Sequence, residues 1–202
     1  MTMARTREYD EATVLTGAMN AFRRKGYRGV SIKDLESATS LKGGSIYNSF
    51  GDKAGVFTAA FERYLESVLV RRIATFAPEQ AGMAGVQALF ISLLNEPNGE
   101  SFGCLITNAA VEFGCDRATM PRGIEAGLNL LRDTFAHRLA AAQAAGRLAP
   151  AYDPLRCALS LLALYQGILV LVRAGYDKAV LKLMIDDEFN RMEVANEPEH
   201  SA

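Results

Sequence analysis

The spacing of apolar residues is the feature that most constrains the fold of this chain. Apolar side chains recur every three or four residues along almost the whole sequence, which is the period of an α-helix buried on one side. A face of this kind near the N-terminus consists of Leu15, Ala18, Met19 and Phe22. We find no segment with the alternating pattern of a strand and no internal repeat. The sequence therefore predicts an all-α protein.

Composition and cysteine usage restrict the class of protein further. Half of the 202 residues are hydrophobic, which is enough for a substantial core. The first ten residues lack the apolar stretch of a signal peptide, so we expect a cytoplasmic protein. Three cysteines without an export signal favour free thiols over a disulfide framework. Because His137 and His200 are far from any Cys-x-x-Cys pair, we expect no metal and no cofactor.

The most apolar window covers residues 158–172 and lies between Arg156 and Arg173. It is shorter than the roughly 20 residues that a membrane-spanning helix requires. We therefore expect a buried helix in this window and no membrane partner.

Charge is distributed unevenly although the net charge is only −1. Residues 1–55 contain nine Lys and Arg against six Asp and Glu, or +3, and the remaining residues contain thirteen against seventeen, or −4. A positive N-terminal part on a negative body is typical of a protein in which only one end meets phosphate.

Turn and capping residues divide the chain into short helices. Gly26 is predicted to end the first helix, and Ser31 to cap a second helix with Asp34 at its third position. Residues 43–50 can form barely two turns, after which Asp52 is placed to cap a longer helix. The apolar face of that helix is predicted to run from Val56 to Val68. Prolines divide the rest of the chain into about five further helices, so we expect about nine in all.

The second and third predicted helices are short and joined by a tight turn, as in a helix-turn-helix. The third helix begins with the small residues of LKGGSIYNSFGDK, residues 41–53, and its N-terminal part would enter the major groove of DNA. A helical hairpin with a glycine-rich turn would have the same spacing. The spacing alone leaves both interpretations open.

The run GYRGVSIKDLESATSLKGGSIYNSFGDKAGVFTAAF, residues 26–61, resembles the DNA-binding domain of TetR-family transcriptional regulators. The resemblance couples many positions at fixed spacing over just under a fifth of the chain. It implies an N-terminal helix-turn-helix domain, residues 1–52, and a larger helical domain for ligand binding and dimerisation, residues 53–202.

The resemblance also implies which residues meet DNA. Tyr47 and Lys53 match positions that contact the phosphate backbone, and Ser31 would offer its helix N-terminus to a phosphate. Ring packing for Tyr47 and a solvated surface position for Lys53 are the structural alternatives. Ser45 and Asn48 are candidates for base contacts. The complete predicted DNA-binding set is Ser31, Lys42, Gly43, Gly44, Ser45, Tyr47, Asn48 and Lys53.

Three positions depart from the family pattern. Many relatives have a basic residue in place of Gly43, glycine in place of Ser40 and alanine in place of Glu36. Lys42 could supply the charge that Gly43 lacks.

Residues 101–118 are predicted to form an apolar helix with one polar stripe. Cys104, Asn108, Glu112 and Cys115 lie within roughly 60° on a helical wheel. The segment also resembles TetR-family members in which a cysteine at this position senses electrophiles or oxidants. We therefore predict that Cys104, Asn108 and Glu112 line an effector pocket, with a buried, unreactive cysteine as the alternative.

The apolar helix predicted over residues 156–172 needs cover on all sides. Tyr165 and Gln166 form its polar interruption and complete our set of ligand-binding candidates. The run YQGILVLVRAGYD also resembles the family's dimerisation helix, which would pair with a last helix near residues 178–192. The implied homodimer would place two recognition helices about 34–36 Å apart to read a palindrome.

These observations favour a DNA-binding transcriptional regulator. The hypothesis is a dimeric repressor that a small molecule, in one version an electrophile or oxidant, releases from double-stranded operator DNA. One alternative is a helical ligand-binding protein without DNA binding. The other is a thiol enzyme using Cys104 with Glu112 or His137, which no motif supports because none brings a base to the thiol. We therefore expect no enzymatic activity.

Overall fold

The computed structural model describes residues 9–95, 103–114 and 122–193, and these residues are almost entirely helical. No strand occurs among them; one isolated bridge pairs Leu148 with Glu193. Helical structure runs without a break from α4 through a π-helical segment into α5, so the described residues form nine helical rods, as predicted. The helices are α1 (Glu11–Gly29), α2 (Ile32–Thr39), α3 (Gly43–Phe50), α4 (Lys53–Tyr64), the π segment (Leu65–Val70), α5 (Arg71–Phe76), α6 (Gly82–Ile91), α7 (Leu105–Phe113), α8 (Arg122–Ala144), α9 (Pro154–Arg173) and α10 (Lys178–Met192).

The predicted N-terminal caps of α2 and α4 are confirmed, whereas Gly26 breaks α1 instead of ending it. Gly26 leaves the helical conformation with φ +74°, which breaks α1 three residues before its end. Ser31 and Asp34 form a complete capping box at the start of α2. At the start of α4 the Asp52 carboxylate accepts a hydrogen bond from the Gly55 N–H at 2.8 Å. Local polar chemistry therefore fixes where these helices begin and end.

Ser40 ends α2 in the left-handed conformation, with φ +59°. Glycine adopts this conformation without steric cost, so the glycine that the family resemblance implies at this position would fit the same turn. In this chain a serine adopts the left-handed conformation in the turn between α2 and α3.

The π segment changes which residues face the core after α4. The helical pattern predicted Val68 on the buried face, but Leu69 is buried and Val68 is only half-buried. A π turn contains an extra residue, so it shifts all later side chains by one position around the helix. This prediction was wrong because the α-helical period does not hold through the segment.

Contacts between Cα atoms divide the chain into two compact units. Unit 1 comprises Met1–Val70 and Phe102–Gly127, and unit 2 comprises Arg71–Ser101 and Leu128–Ala202. The expected domain boundary at residue 52 falls inside unit 1, because α1 packs against both α4 and α7. The functional division of the chain at residue 52 stays a prediction.

Each unit has its own aromatic core. In unit 1 the Phe57 ring lies 4.9 Å from that of Phe22 and 5.7 Å from that of Phe113, measured between centroids. In unit 2 the Phe90 ring lies 5.1 Å from Tyr165 and 5.5 Å from Phe189. Such pairs add about 0.5–1.5 kcal/mol each beyond the burial of their area.

Helix α9 is longer than the apolar window predicted from the sequence. Its 20 residues make it, among the described residues, one helix whose length and composition would allow it to cross a membrane. The core helix of a soluble protein meets the same criteria, so this observation is weak. Only 28% of its apolar window is buried within the chain, so one copy does not by itself provide the cover that an apolar helix needs.

Candidate nucleic-acid interface

Helix α3 presents polar and small side chains outward and one apolar anchor inward. Ile46 is 1% exposed, whereas Tyr47 is 51% exposed. The other outward-facing residues of the helix are Gly44, Ser45 and Asn48. Phe50, the last residue of the helix, is half-buried. The structure thus brings the predicted base-reading and phosphate-binding candidates of α3 together on one exposed surface.

The first turn of α3 receives its cap from the preceding helix. Lys42 occupies the N-cap position but makes no side-chain cap hydrogen bond. Instead the Glu36 carboxylate of α2 accepts a hydrogen bond from the Gly43 N–H at 2.5 Å. The capping function that a serine or aspartate at position 42 would perform is therefore supplied across the turn.

Ser31 is engaged at the start of α2. Its hydroxyl accepts a hydrogen bond from the Asp34 N–H, and its own N–H donates to the Asp34 carboxylate. The Lys25 ammonium lies 2.5 Å from the same carboxylate and, with the groups of Ser31, holds the pKa of Asp34 well below its usual range. This N-terminus already carries a negative charge, and the predicted phosphate contact of Ser31 stays a prediction.

Lys53 is bound within the protein rather than extended into solvent. Its ammonium donates to the Val30 carbonyl at 3.0 Å and lies 4.6 Å from the centroid of the Tyr27 ring. The side chain is half-buried. An ammonium group has three donors, so a phosphate contact is compatible with this position.

Helix α7 is shorter than predicted and carries fewer of the stripe residues. It spans Leu105–Phe113, with Cys104 outside it at the N-cap in an extended conformation. The predicted helix over residues 101–118 was therefore too long, because Gly114 has φ +63° and stops it. Cys115 lies outside the described residues.

Two predicted pocket residues on α7 bind the backbone of α1. The Glu112 carboxylate accepts hydrogen bonds from the N–H groups of Tyr27, at 2.6 Å, and Arg28, directly after the break at Gly26. The Asn108 amide donates to the Arg23 carbonyl at 3.1 Å. Both side chains join α7 to the C-terminal end of α1.

Cys104 is buried, 5% exposed, beside an aromatic and a cationic side chain. The Tyr64 hydroxyl donates to its sulfur at 3.2 Å. The Arg23 guanidinium lies 5.8 Å from the centroid of the Tyr64 ring and donates to the Gly103 carbonyl. Sequence reasoning missed Tyr64 and Arg23 at this site, since neither belongs to a recognisable motif.

The remaining ligand-binding candidates are in unit 2. Tyr165 is 3% exposed and packs on Phe90 and Phe135, and Gln166 is half-buried beside it on α9. An open groove on the same unit, of about 540 Å³, is lined by Phe76, Gln87, Ile91, Lys182 and Asp186 among others. No member of the predicted ligand-binding set lines this groove.

Two helices joined by a tight turn, the second with an exposed polar surface on an apolar anchor, define a helix-turn-helix DNA-binding protein. The family model for bacterial regulatory proteins of the tetR family matches residues 14–60. The model for a tetracyclin repressor-like C-terminal domain matches residues 82–186, just over half of the chain. The chain belongs to the TetR family, and it is a DNA-binding transcriptional regulator.

Individual relatives agree with this assignment. The chain is similar to the uncharacterized HTH-type transcriptional regulator YezE of Bacillus subtilis, with 29% identity over 72% of this chain and 76% of the relative. It is also similar to the HTH-type transcriptional repressor ComR of Escherichia coli, with 25% identity over 85% of this chain and 83% of the relative. Among solved structures, a cysteine mutant of the TetR regulator CifR in complex with a 26-bp operator duplex matches 92% of this chain and 98% of its own, with a TM-score of 0.80 and 24% identity.

Proposed function

We propose that this protein is a transcriptional repressor that binds a palindromic operator as a homodimer and is released by a small-molecule effector. An electrophile or oxidant that reacts with Cys104 is the effector class that the site favours. The protein acts in the cytoplasm, without a membrane partner and without enzymatic activity. One observation carries the proposal. Cys104 lies at the start of α7, and the side chains of Asn108 and Glu112 further along the same helix are hydrogen-bonded to the backbone of α1.

The exposed surface of α3 supports operator binding. Tyr47, Asn48 and Ser45 offer hydroxyl and amide groups of the kind that contact phosphates and base edges. They stand on a helix that Ile46 fixes to the core, which is how a recognition helix is held. The similar protein CifR has been solved with a 26-bp operator duplex, and ComR is described as a repressor.

The hydrogen bonds of α7 support coupling between effector and DNA. Cys104 precedes the first turn of α7, whereas Glu112 in its last turn accepts two N–H groups of α1. Because the Cys104 side chain is buried and its sulfur contacts the Tyr64 hydroxyl, we expect an adduct on the sulfur to displace the start of α7. Movement of α7 changes the support of α1, and α1 packs directly on α2.

Exposed apolar side chains on α9 and α10 support the homodimer. Leu155 is 70% exposed, Leu159 61% and Leu183 63%. A contiguous apolar surface on a soluble protein is typical of an interface, and the family resemblance assigns these two helices to dimerisation.

The contact of the Cys104 sulfur supports a sensor rather than an enzyme. A thiol nucleophile needs a base within hydrogen-bond reach. The described partner of this sulfur is the Tyr64 phenol, which donates its own proton to the sulfur and so does not act on it as a base.

The test uses purified protein and a duplex that the wild type has selected from a random-sequence library. After treatment with para-benzoquinone, we expect operator affinity to fall by about 5–150-fold, the usual range of allosteric coupling. The Cys104→Ser variant should keep its affinity and form one adduct fewer by intact mass.

Cys157→Ser is the matched control. Cys157 belongs to α9 in unit 2 and takes no part in the described contacts of α7 with α1, so its removal should leave the release unchanged. Equal release of the wild type and Cys104→Ser would refute the sensing role. Failure of the wild type to enrich any duplex would refute operator binding.

A further inference from the structure

An acidic side chain stands at the start of the recognition helix. Glu36 belongs to α2, and its Oε1 accepts the hydrogen bond of the Gly43 N–H, the first residue of α3, at 2.5 Å. The N-cap residue Lys42 contributes no side-chain acceptor. The first N–H group of α3 is therefore occupied by a carboxylate of the protein itself.

The space around the two glycines of α3 differs sharply. A Cβ atom added to Gly43 would lie 3.0 Å from the Glu36 Oε1 and 3.6 Å from the Ile32 Cγ2. A Cβ atom added to Gly44 would meet nothing within 4 Å. A side chain at position 43 would therefore press on the Glu36 carboxylate, whereas one at position 44 would meet open space. Glycine at position 43 and glutamate at position 36, two departures from the family pattern, thus form one structural pair.

The carboxylate also changes the electrostatics of the surface. The N-terminus of a helix carries a partial positive charge and free N–H groups, and it attracts phosphate. Here a full negative charge neutralises that end of α3, next to the exposed Gly44 and Ser45. A phosphate at this position would be repelled by the Glu36 carboxylate, and the Gly43 N–H would not be available to it as a donor.

We propose that Glu36 is a positioning and specificity residue for operator binding. It fixes the first turn of α3 against α2, and its charge keeps phosphates away from that turn. DNA in a wrong register, with a phosphate at the start of α3, is rejected, which is specificity by repulsion. The inference rests on α3 being the helix that meets DNA.

The pairing of Glu36 with Gly43 is tested first, without DNA, by thermal unfolding. Replacing glycine by alanine in a helix is favourable by about 1 kcal/mol, but in the wild type the new methyl group presses on the Glu36 cap and offsets this gain. The Tm change caused by Gly43→Ala should therefore be about 2–4 °C less favourable in the wild type than in the Glu36→Ala background, where the crowding atom is gone. Gly44→Ala is the matched control and should give equal shifts in both backgrounds. Equal shifts for Gly43→Ala as well would overturn the pairing.

The role in recognition is tested by affinity for two duplexes: one selected by the wild type from a random-sequence library, and a scrambled duplex of the same composition. Glu36→Gln keeps an acceptor oxygen but loses the charge, so we expect scrambled DNA to bind about threefold tighter and the selected duplex to gain less. Glu36→Ala should also weaken binding to the selected duplex, about fivefold, because the first turn of α3 must then reorder on DNA. In both variants we expect the ratio of the affinity for the selected duplex to the affinity for the scrambled duplex to fall.

Glu62→Gln on α4 removes one exposed negative charge away from α3 and controls for net charge. A merely structural role of Glu36 would not tighten binding to scrambled DNA. If the wild type binds its selected duplex, two results would overturn the inference. One is an affinity ratio that does not change in Glu36→Gln, and the other is an equal fall of that ratio in Glu62→Gln. If the wild type selects no duplex, the inference fails together with the proposed function.

Discussion

At the scale of single residues, the two predicted phosphate-binding side chains, Tyr47 and Lys53, differ in how they contact the rest of the protein. The Tyr47 side chain is half exposed, on the outer surface of α3. The Lys53 ammonium is already bound to the Val30 carbonyl and lies over the Tyr27 ring. Removing the Tyr47 hydroxyl should change only the affinity for DNA, whereas removing the Lys53 ammonium should also change the stability of the free protein.

We expect Tyr47→Phe to weaken operator binding by about fivefold, because one hydrogen bond to a phosphate is lost, and to leave Tm unchanged. Lys53→Ala should lower the free energy of unfolding by about 1 kcal/mol through the lost carbonyl and ring contacts. It should also reduce the salt dependence of binding by roughly one unit of slope if the ammonium meets a phosphate. Fluorescence anisotropy at several salt concentrations, with thermal unfolding, measures both.

Lys33, exposed on α2, gives the matched control for the lysine. Lys33→Ala should leave the free energy of unfolding unchanged. A Lys53→Ala variant as stable as the wild type would contradict the contacts with Val30 and Tyr27.

The partners of single residues were the part of the site that the sequence could least predict. A helical wheel places Asn108 and Glu112 on one stripe, but it cannot identify what that stripe faces. Their acceptor and donor groups lie 84 or 85 residues earlier in the chain, on the backbone of α1. Such contacts depend on tertiary packing, which leaves no local pattern. Ser31 and Asp34, by contrast, bond within one turn and were predicted together.

At the scale of elements, α7 acts as a support for the end of α1. The helix is only nine residues long, yet its side chains reach α1 at two points. Gly26 leaves the N–H groups of Tyr27 and Arg28 outside the helical pattern, and Glu112 satisfies both. One carboxylate therefore holds the turn from which the chain enters α2.

We expect Glu112→Gln to lower the free energy of unfolding by about 1.5–3 kcal/mol. The amide nitrogen would face a backbone N–H, so one of the two charge-assisted hydrogen bonds is lost and its donor stays unsatisfied. Hydrogen exchange at the amides of Tyr27 and Arg28 should accelerate in the same variant. Glu62→Gln, the control for a carboxylate that is exposed on α4, should change neither. Unchanged protection of both amides would show that Glu112 does not hold this turn.

Elements whose ends carry local signals were predicted well. The bounds of α3 and α10 agree with the sequence prediction, since glycine, aspartate and the apolar period mark them. The π segment and the shortened α7 were not predicted. A π turn keeps the same residue types and changes only the hydrogen-bond register. The end of α7 depends on Gly114 adopting a positive φ, which a glycine permits but does not require.

At the scale of the whole molecule, unit 2 has an exposed apolar surface that the proposed homodimer would bury. Helix α9 leaves most of its apolar window outside the core of one copy. On α10 the exposed apolar residues are Val180, Leu183 and Met184. A two-fold interface uses the same surface twice, so α9 and α10 together would cover each other's apolar side chains in a second copy.

We expect Leu159→Lys and Leu183→Lys each to raise the dimer dissociation constant about 100-fold. The substitution occurs twice in a two-fold interface, and each unpaired polar group that becomes buried costs on the order of 1–3 kcal/mol. Because a palindromic operator is read by two linked recognition helices, operator affinity should fall together with dimerisation. Sedimentation equilibrium and anisotropy measure the two effects. Val111→Lys on α7, where the valine is 80% exposed, is the matched control and should stay dimeric. If Leu159→Lys and Leu183→Lys remain dimeric at the concentrations at which the wild type is dimeric, this surface is not the interface.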